Sequence, residues 1–61
     1  MFNVIDYRTM VDNTGKLYAI ETTKDREHYN VYINKVFFAS ADNMCEVQNE
    51  IENAIQFFNL R

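Results

Sequence analysis

The sequence predicts an α+β protein in which a three- or four-stranded antiparallel meander carries one C-terminal amphipathic helix on one face, in the order β-β-β(-β)-α. Alternating apolar and polar residues indicate strands at about 2–11, 16–24 and 29–39. A polar turn containing Gly15 separates the first two strands. From about 42 to 58 the apolar residues recur at the spacing of one helix face. Together these patterns favour a helix laid across a sheet.

The first two strands are expected to form a hairpin. Residues 2–11 are rich in β-branched and aromatic side chains, with a change of facing near Val4. In the polar segment 12–16, Gly15 can adopt the left-handed conformation that closes a short hairpin with a G1 bulge. The turn at 25–28 is entirely polar, which favours an exposed connection to the next strand.

The segment 29–39 admits two interpretations. It is either one long strand with a bulge at Asn34 and Lys35, or a strand, a tight turn at those two residues and a fourth strand over 36–40. Asn tolerates the positive φ of a two-residue hairpin turn, whereas Lys does not favour it. The sequence leaves both interpretations open.

The helix begins within residues 40–43, where Ser40, Asp42 and Asn43 are all good N-caps. Asn43 followed three residues later by Glu46 imitates a capping box. The predicted apolar stripe is Met44, Val47, Ile51, Ala54, Ile55 and Phe58. The sheet face away from this helix has no second helix to cover it, so it must be polar or used for binding.

Length and composition predict a single small domain, 1–61, in a reducing compartment. A chain of 61 residues buries only about 60% of the surface it exposes when unfolded, so the core is small. Cys45 is the only cysteine, which excludes an internal disulfide and favours a cytoplasmic location. The N-terminal residues resemble neither a signal peptide nor a membrane span. Packing and assembly remain as sources of stability, so a homodimer is an expected partner state.

The negative charge is concentrated in the C-terminal third. Residues 1–41 contain five acids and five bases, whereas residues 42–61 contain four acids and one base, which accounts for the net charge of −3. One interpretation is that the acidic helix face keeps the protein soluble. The other is that it docks on a basic surface of another protein. The residues predicted to bind that partner are Asp42, Glu46, Asn49, Glu50, Glu52, Asn53 and Phe57.

Phe57 supports docking or assembly. At 100° per residue it lies about 110° from the centre of the apolar stripe, so it is expected beside the core. Leu60 is expected still farther round the helix. Phe57, Leu60 and either Phe37 or Phe38 are therefore a predicted interface patch for self-association.

No catalytic, cofactor-binding or metal-binding motif is present, so the sequence predicts no enzyme activity and no cofactor. His28 and Cys45 are single residues of their types, too few for a structural zinc site, and lack the signature of a nucleophilic pair. Gly15 is the only glycine, which excludes a glycine-rich phosphate loop. Both His28 and Cys45 are expected to be structural.

The predicted function is a non-enzymatic protein-binding module. Its size, acidity and bias toward Asn, Ile, Phe, Tyr and Lys are similar in type to small phage or mobile-element proteins that inhibit a host enzyme by occluding a basic groove. The alternative is a nucleic-acid-binding regulator that uses a basic, aromatic sheet face. That face would combine Arg8, Lys16, Lys24, Arg26 and Lys35 with Tyr7, Tyr18 and Tyr32. The balancing acids of the same segment and a pI near 4.8 make nucleic acid an unfavourable partner. A third alternative is a structural or antitoxin-like homodimer.

Overall fold

The structure, a computed structural model, describes residues 3–61, so the start of the predicted first strand at Phe2 lies outside the described residues. Four antiparallel strands form one sheet in the order β1-β2-β3-β4, and a C-terminal helix packs on it. The predicted α+β meander is thereby confirmed. The elements are β1 (Asn3–Val11), β2 (Leu17–Asp25), β3 (His28–Ile33), β4 (Val36–Ala41) and α1 (Met44–Phe58).

The β1–β2 hairpin closes as its turn chemistry predicts. Gly15 has φ 87°, its N–H donates to the Asp12 carbonyl at 3.1 Å, and the Asp12 N–H donates to the Lys16 carbonyl at 3.1 Å. The Asp12 carboxylate also accepts bonds from the Thr14 hydroxyl, the Thr14 and Lys16 N–H groups and the Tyr18 hydroxyl, at 2.7–3.1 Å. The Thr14 hydroxyl bond is the largest cause that lowers the pKa of Asp12 to about 2.

The predicted change of facing near Val4 is also present. The register between β1 and β2 shifts between Val4 and Asp6, which leaves Ile5 as the extra residue of a bulge. Alternation is restored from Asp6 onward, so Met10 faces the core side with its register partner Tyr18.

Of the two interpretations of 29–39, the structure has the turn and the fourth strand. Asn34 and Lys35 have φ of 51° and 70°, as a two-residue hairpin turn requires, and β4 follows at Val36. The Asn34 N–H donates to the Ala19 carbonyl at 2.8 Å, and its Oδ1 accepts from the Ala19 N–H at 2.9 Å. These two bonds anchor the turn to β2 and offset the cost of about 1–2 kcal/mol of a left-handed Lys.

The core lies between α1 and one face of the sheet. Val47, Ile51 and Ala54 of α1 are buried together with sheet residues such as Ile20 and Val31. The buried apolar stripe of α1 begins at Val47, one turn later than predicted, since Met44 is 42% exposed. Within residues 3–61 no helix is long and apolar enough to cross a membrane.

The start of α1 is capped by its own flanking polar residues. Asn43 is the N-cap, and its Oδ1 accepts from the Glu46 N–H at 2.9 Å. The Glu46 carboxylate reaches back to the Asp42 N–H at 3.0 Å, one residue earlier than in a standard capping box. The predicted cap pair is therefore present with a shifted second bond.

The end of α1 differs from the sequence expectation. Asn59 adopts the left-handed conformation with φ 56°, and the Leu60 N–H donates to the Ile55 carbonyl at 2.8 Å, a Schellman-type closure. The expectation that Leu60 lies far round the exposed side was wrong, since the closure turns it inward until only 7% is exposed. Arg61 then exchanges two backbone bonds with Val11, at 2.8 and 3.2 Å, which ties the chain end to the outer edge of β1.

The cap at Asn43 gives a matched test of helix stability. We expect Asn43→Ala to lower the free energy of unfolding by about 0.5–2 kcal/mol, since the Glu46 N–H loses its acceptor. Asn49→Ala, on the exposed middle of the same helix, should change it by less than about 0.5 kcal/mol. Urea unfolding followed by circular dichroism measures both values, and equal losses would show that the cap contributes nothing.

The Asp12 carboxylate gives a pH test. Its pKa is lowered to about 2 from an unfolded value of 3.8, so its contribution to stability is complete above pH 4 and is lost as the pH falls toward 2. Wild type should therefore lose stability more steeply between pH 4 and pH 2 than Asp12→Asn does. Parallel stability profiles of the two proteins over this range would contradict the assignment.

Candidate protein-binding surfaces

The predicted partner-binding residues of α1 divide into two groups on the helix surface. At 100° per residue, Glu46, Glu50, Asn53 and Phe57 fall within a sector of about 60°, because they are spaced four, three and four residues apart. We call these four residues the acidic ridge. Glu52 lies about 130° from the centre of the ridge, on the other side of the solvent-facing surface.

The remaining predicted residues lie outside this row. Asn49 is exposed about 70° from the centre of the ridge. Asp42 precedes the helix, and its carboxylate lies 3.5 Å from His28 Nδ1 in a contact where both side chains are more than two-thirds exposed. These two residues and Glu52 therefore border the ridge without extending it.

The acids of the ridge are not neutralised within the described part of the chain. No Lys, Arg or His among residues 3–61 lies within ion-pair distance of Glu46, Glu50 or Glu52. Glu46 is exposed, Glu50 is half-buried, and the Glu50 carboxylate accepts one long bond of 3.4 Å from Asn53 Nδ2. Two like charges at i and i+4 repel by a few tenths of a kcal/mol, so this arrangement adds charge at a small cost in stability.

Phe57 completes the ridge with a large apolar group. It is 74% exposed, the highest exposure among the large hydrophobic side chains of residues 3–61. Its ring meets the ring of Phe58 edge-on, with centroids 4.8 Å apart, and Phe58 in turn lies 5.1 Å from the ring of Tyr18. The Phe57 ring therefore contacts the ring of Phe58, and most of its remaining surface is exposed to solvent.

A second surface, which we call the open face, is the side of the sheet away from α1. Ile20, Val31 and Ile33 point to the helix, so strand residues of the other parity point away from it. The strand register extends this assignment across all four strands. The open face comprises Val4, Tyr7, Thr9, Val11, Leu17, Ala19, Glu21, Thr23, Asp25, His28, Asn30, Tyr32, Phe37 and Ser40.

One cross-strand row crosses the middle of the open face. Tyr7 pairs with Glu21, Glu21 with Tyr32, and Tyr32 with Phe37. The rings of Tyr32 and Phe37 are edge-to-face at 5.9 Å. Tyr7 and Phe37, at the two ends of the row, are each more than half exposed. The row therefore presents aromatic groups on both sides of one carboxylate.

The carboxylate of this row is nearly buried although it lies on the uncovered side of the sheet. Glu21 is 8% exposed, and Lys35 Nζ lies 3.1 Å from its Oε1 in an ion pair. The hydroxyl of the neighbouring Thr23 is buried without a partner among the described residues. Together with Tyr32 and Lys35 these groups line a shallow depression of about 270 Å³.

The aromatic patch predicted from Phe57, Leu60 and Phe37 or Phe38 does not form. Leu60 is buried, and Phe38 is half-buried against the core. Phe37 belongs to the open face, while Phe57 lies on the helix at the opposite side of the sheet. The predicted patch was wrong because its residues lie on two separate surfaces, the outer side of α1 and the open face.

The basic aromatic face of the nucleic-acid alternative is not assembled on the open face. Tyr7 and Tyr32 lie on it, whereas Tyr18 faces the helix side and contacts Phe58. Among the bases, Arg8 donates to Asp6, Lys35 contacts Glu21, and Lys16 and Lys24 lie over the rings of Tyr18 and Tyr29. These four cations have local contacts, and Arg26, the fifth predicted base, is exposed in the β2–β3 turn.

The two residues expected to be structural are both exposed. Cys45 lies in the first turn of α1, and His28 begins β3 beside Asp42. Among residues 3–61 no three His, Cys, Asp or Glu side chains come together as a metal site.

Comparison with protein-family models, with curated proteins and with solved structures found no significant match.

Proposed function

We propose that the protein is a non-enzymatic binding module whose acidic ridge docks on a basic surface of another protein. The observation that carries the proposal is the position of Phe57, 74% exposed, in one row with Glu46 and Glu50. An interface with a desolvated aromatic anchor and a charged rim has this composition.

The two components of the ridge have different roles in the proposed complex. Burying Phe57 in an apolar pocket of the partner contributes about 1.5–3 kcal/mol. The glutamates attract and orient a basic partner, which accelerates association and thereby lowers the dissociation constant. Asp42, Asn49 and Glu52 border the ridge and fit a polar rim, where individual contacts contribute little.

Inhibition by occlusion follows from this mode of binding. Bound in this way, the protein would act on a host enzyme by covering a basic groove that otherwise holds an acidic substrate or nucleic acid. The proposal places the protein in the cytoplasm, with a basic protein as its partner and no cofactor. Self-association is a separate proposal, with a different surface.

The test compares matched pairs of variants. Immobilised wild type captures proteins from a lysate of the native cell, mass spectrometry identifies them, and each is purified for calorimetric titration. Glu46→Gln with Glu50→Gln removes two charges of the ridge, and the amide oxygen introduced by Glu46→Gln can still accept from the Asp42 N–H. The control, Asp25→Asn with Glu27→Gln, removes two charges from the β2–β3 turn and has the same net charge as the ridge variant.

A second pair tests the aromatic component of the ridge. Phe57→Ser is compared with Val36→Ser, since Val36 is also well exposed, at 68%.

We expect both ridge variants to weaken binding of the captured partner at least tenfold, because each removes one component of the interface. Both controls should stay within twofold of wild type. Wild-type binding should also weaken as salt rises from 50 to 300 mM, since screening reduces the attraction of the glutamates. Failure to capture any protein, or a partner whose affinity survives both ridge variants, would overturn the proposal.

A further inference from the structure

We infer that the open face is a self-association surface, on which two copies of this chain pack sheet against sheet. Five large hydrophobic side chains of the open face are each at least 36% exposed: Val4, Tyr7, Val11, Leu17 and Phe37. A half-covered sheet with such a face normally packs against a second layer. This inference does not depend on docking by the acidic ridge, because the two surfaces lie on opposite sides of the molecule.

The distribution of charge allows a second copy of this acidic chain to be the occupant. The net charge of −3 comes from residues 42–61, the segment that contains α1. The centre of the open face carries one acid and one base, Glu21 and Lys35, which contact each other. Asp25 lies at its far end, beside the turn. Two identical acidic chains can therefore meet on this face without bringing their surplus charge together.

Distances in the paired state support the same conclusion. Sheets that pack face to face are about 10 Å apart, and each helix adds about 10 Å on the outer side. The two α1 helices would then lie roughly 30 Å apart, which is more than three Debye lengths at physiological ionic strength. Association through the helices would instead place Glu46 and Glu50 of both copies in contact, with strong repulsion.

The area of the face is sufficient for a weak dimer. Four strands spaced about 4.8 Å apart give a width of about 19 Å, and strands of six to nine residues give lengths of about 20–30 Å. The plan area is then roughly 400–500 Å² per copy, or about 1,000 Å² for two copies, which is near the lower limit for a specific interface.

Sedimentation equilibrium between 10 and 500 µM tests the inference. Wild type should move from 7.3 kDa toward twice that mass as its concentration rises. Phe37→Lys and Leu17→Lys place charges on the open face and should raise the dissociation constant at least tenfold. Val36→Lys is the matched control, because Val36 is the chain neighbour of Phe37, is more exposed (68% against 56%) and pairs with Ile33 on the other face. This control, and Phe57→Lys on the helix, should stay within twofold of wild type.

A measurement on wild type alone covers the case in which an open-face variant fails to fold. In a mixture of isotope-labelled and unlabelled protein, filtered nuclear Overhauser spectra should connect the methyl groups of Val11 or Leu17 in one copy with the rings of Tyr7 or Phe37 in another. A mass that stays at 7.3 kDa at 500 µM would overturn the inference. Dissociation by Val36→Lys equal to that by Phe37→Lys, or intermolecular contacts confined to α1, would also overturn it.

Discussion

The structure depends on one geometric constraint, which is that a single helix of 15 residues covers only part of one face of a four-stranded sheet. An α-helix is about 10 Å wide, whereas four strands span about 19 Å. Val47, Ile51 and Ala54 close the core mainly over β3 and β4, and they share it with Ile20 of β2. Near the C-terminal end of α1, the ring of Phe58 meets that of Tyr18. β1 contributes Met10 to the margin of the core, and it is also held by its hairpin with β2 and by the backbone pair between Val11 and Arg61.

This constraint produces two surfaces of different chemistry. The outer side of α1 carries unpaired acids and one free aromatic ring, whereas the uncovered side of the sheet is apolar and nearly neutral at its centre. A small core cannot bury both sets of side chains, since a chain of this length retains a large share of its surface in water. This separation of charge from apolar area is the basis of both proposals, in which one surface docks on a basic protein and the other on a second copy.

Much of the fold could be predicted because its strongest signals are local. The helical spacing, the Asn43 cap and Gly15 in its turn act over a few residues, and each is present in the structure. The turn at Asn34 and Lys35 could not be chosen from sequence, since the bonds to Ala19 that stabilise a left-handed Lys join residues 15 apart. The acidic ridge can be predicted from helical spacing alone, whereas the open face can be predicted only if the strand register is known. The alternation of Leu17 with Tyr18 indicates which residues of β2 share a face. It does not indicate which residues of β1 and β3 lie beside them.

Solvent paramagnetic relaxation of methyl groups, recorded below 10 µM where a weak dimer dissociates, distinguishes side chains covered by the helix from exposed ones. A soluble paramagnetic agent broadens exposed methyl signals and spares those buried between helix and sheet. We expect Ile20, Val31, Val47 and Ile51 to be protected, and Val4, Leu17 and Val36 to be strongly broadened. Broadening of Ile51 as strong as that of Leu17 would contradict this expectation, because the helix would then not cover the opposite face of the sheet.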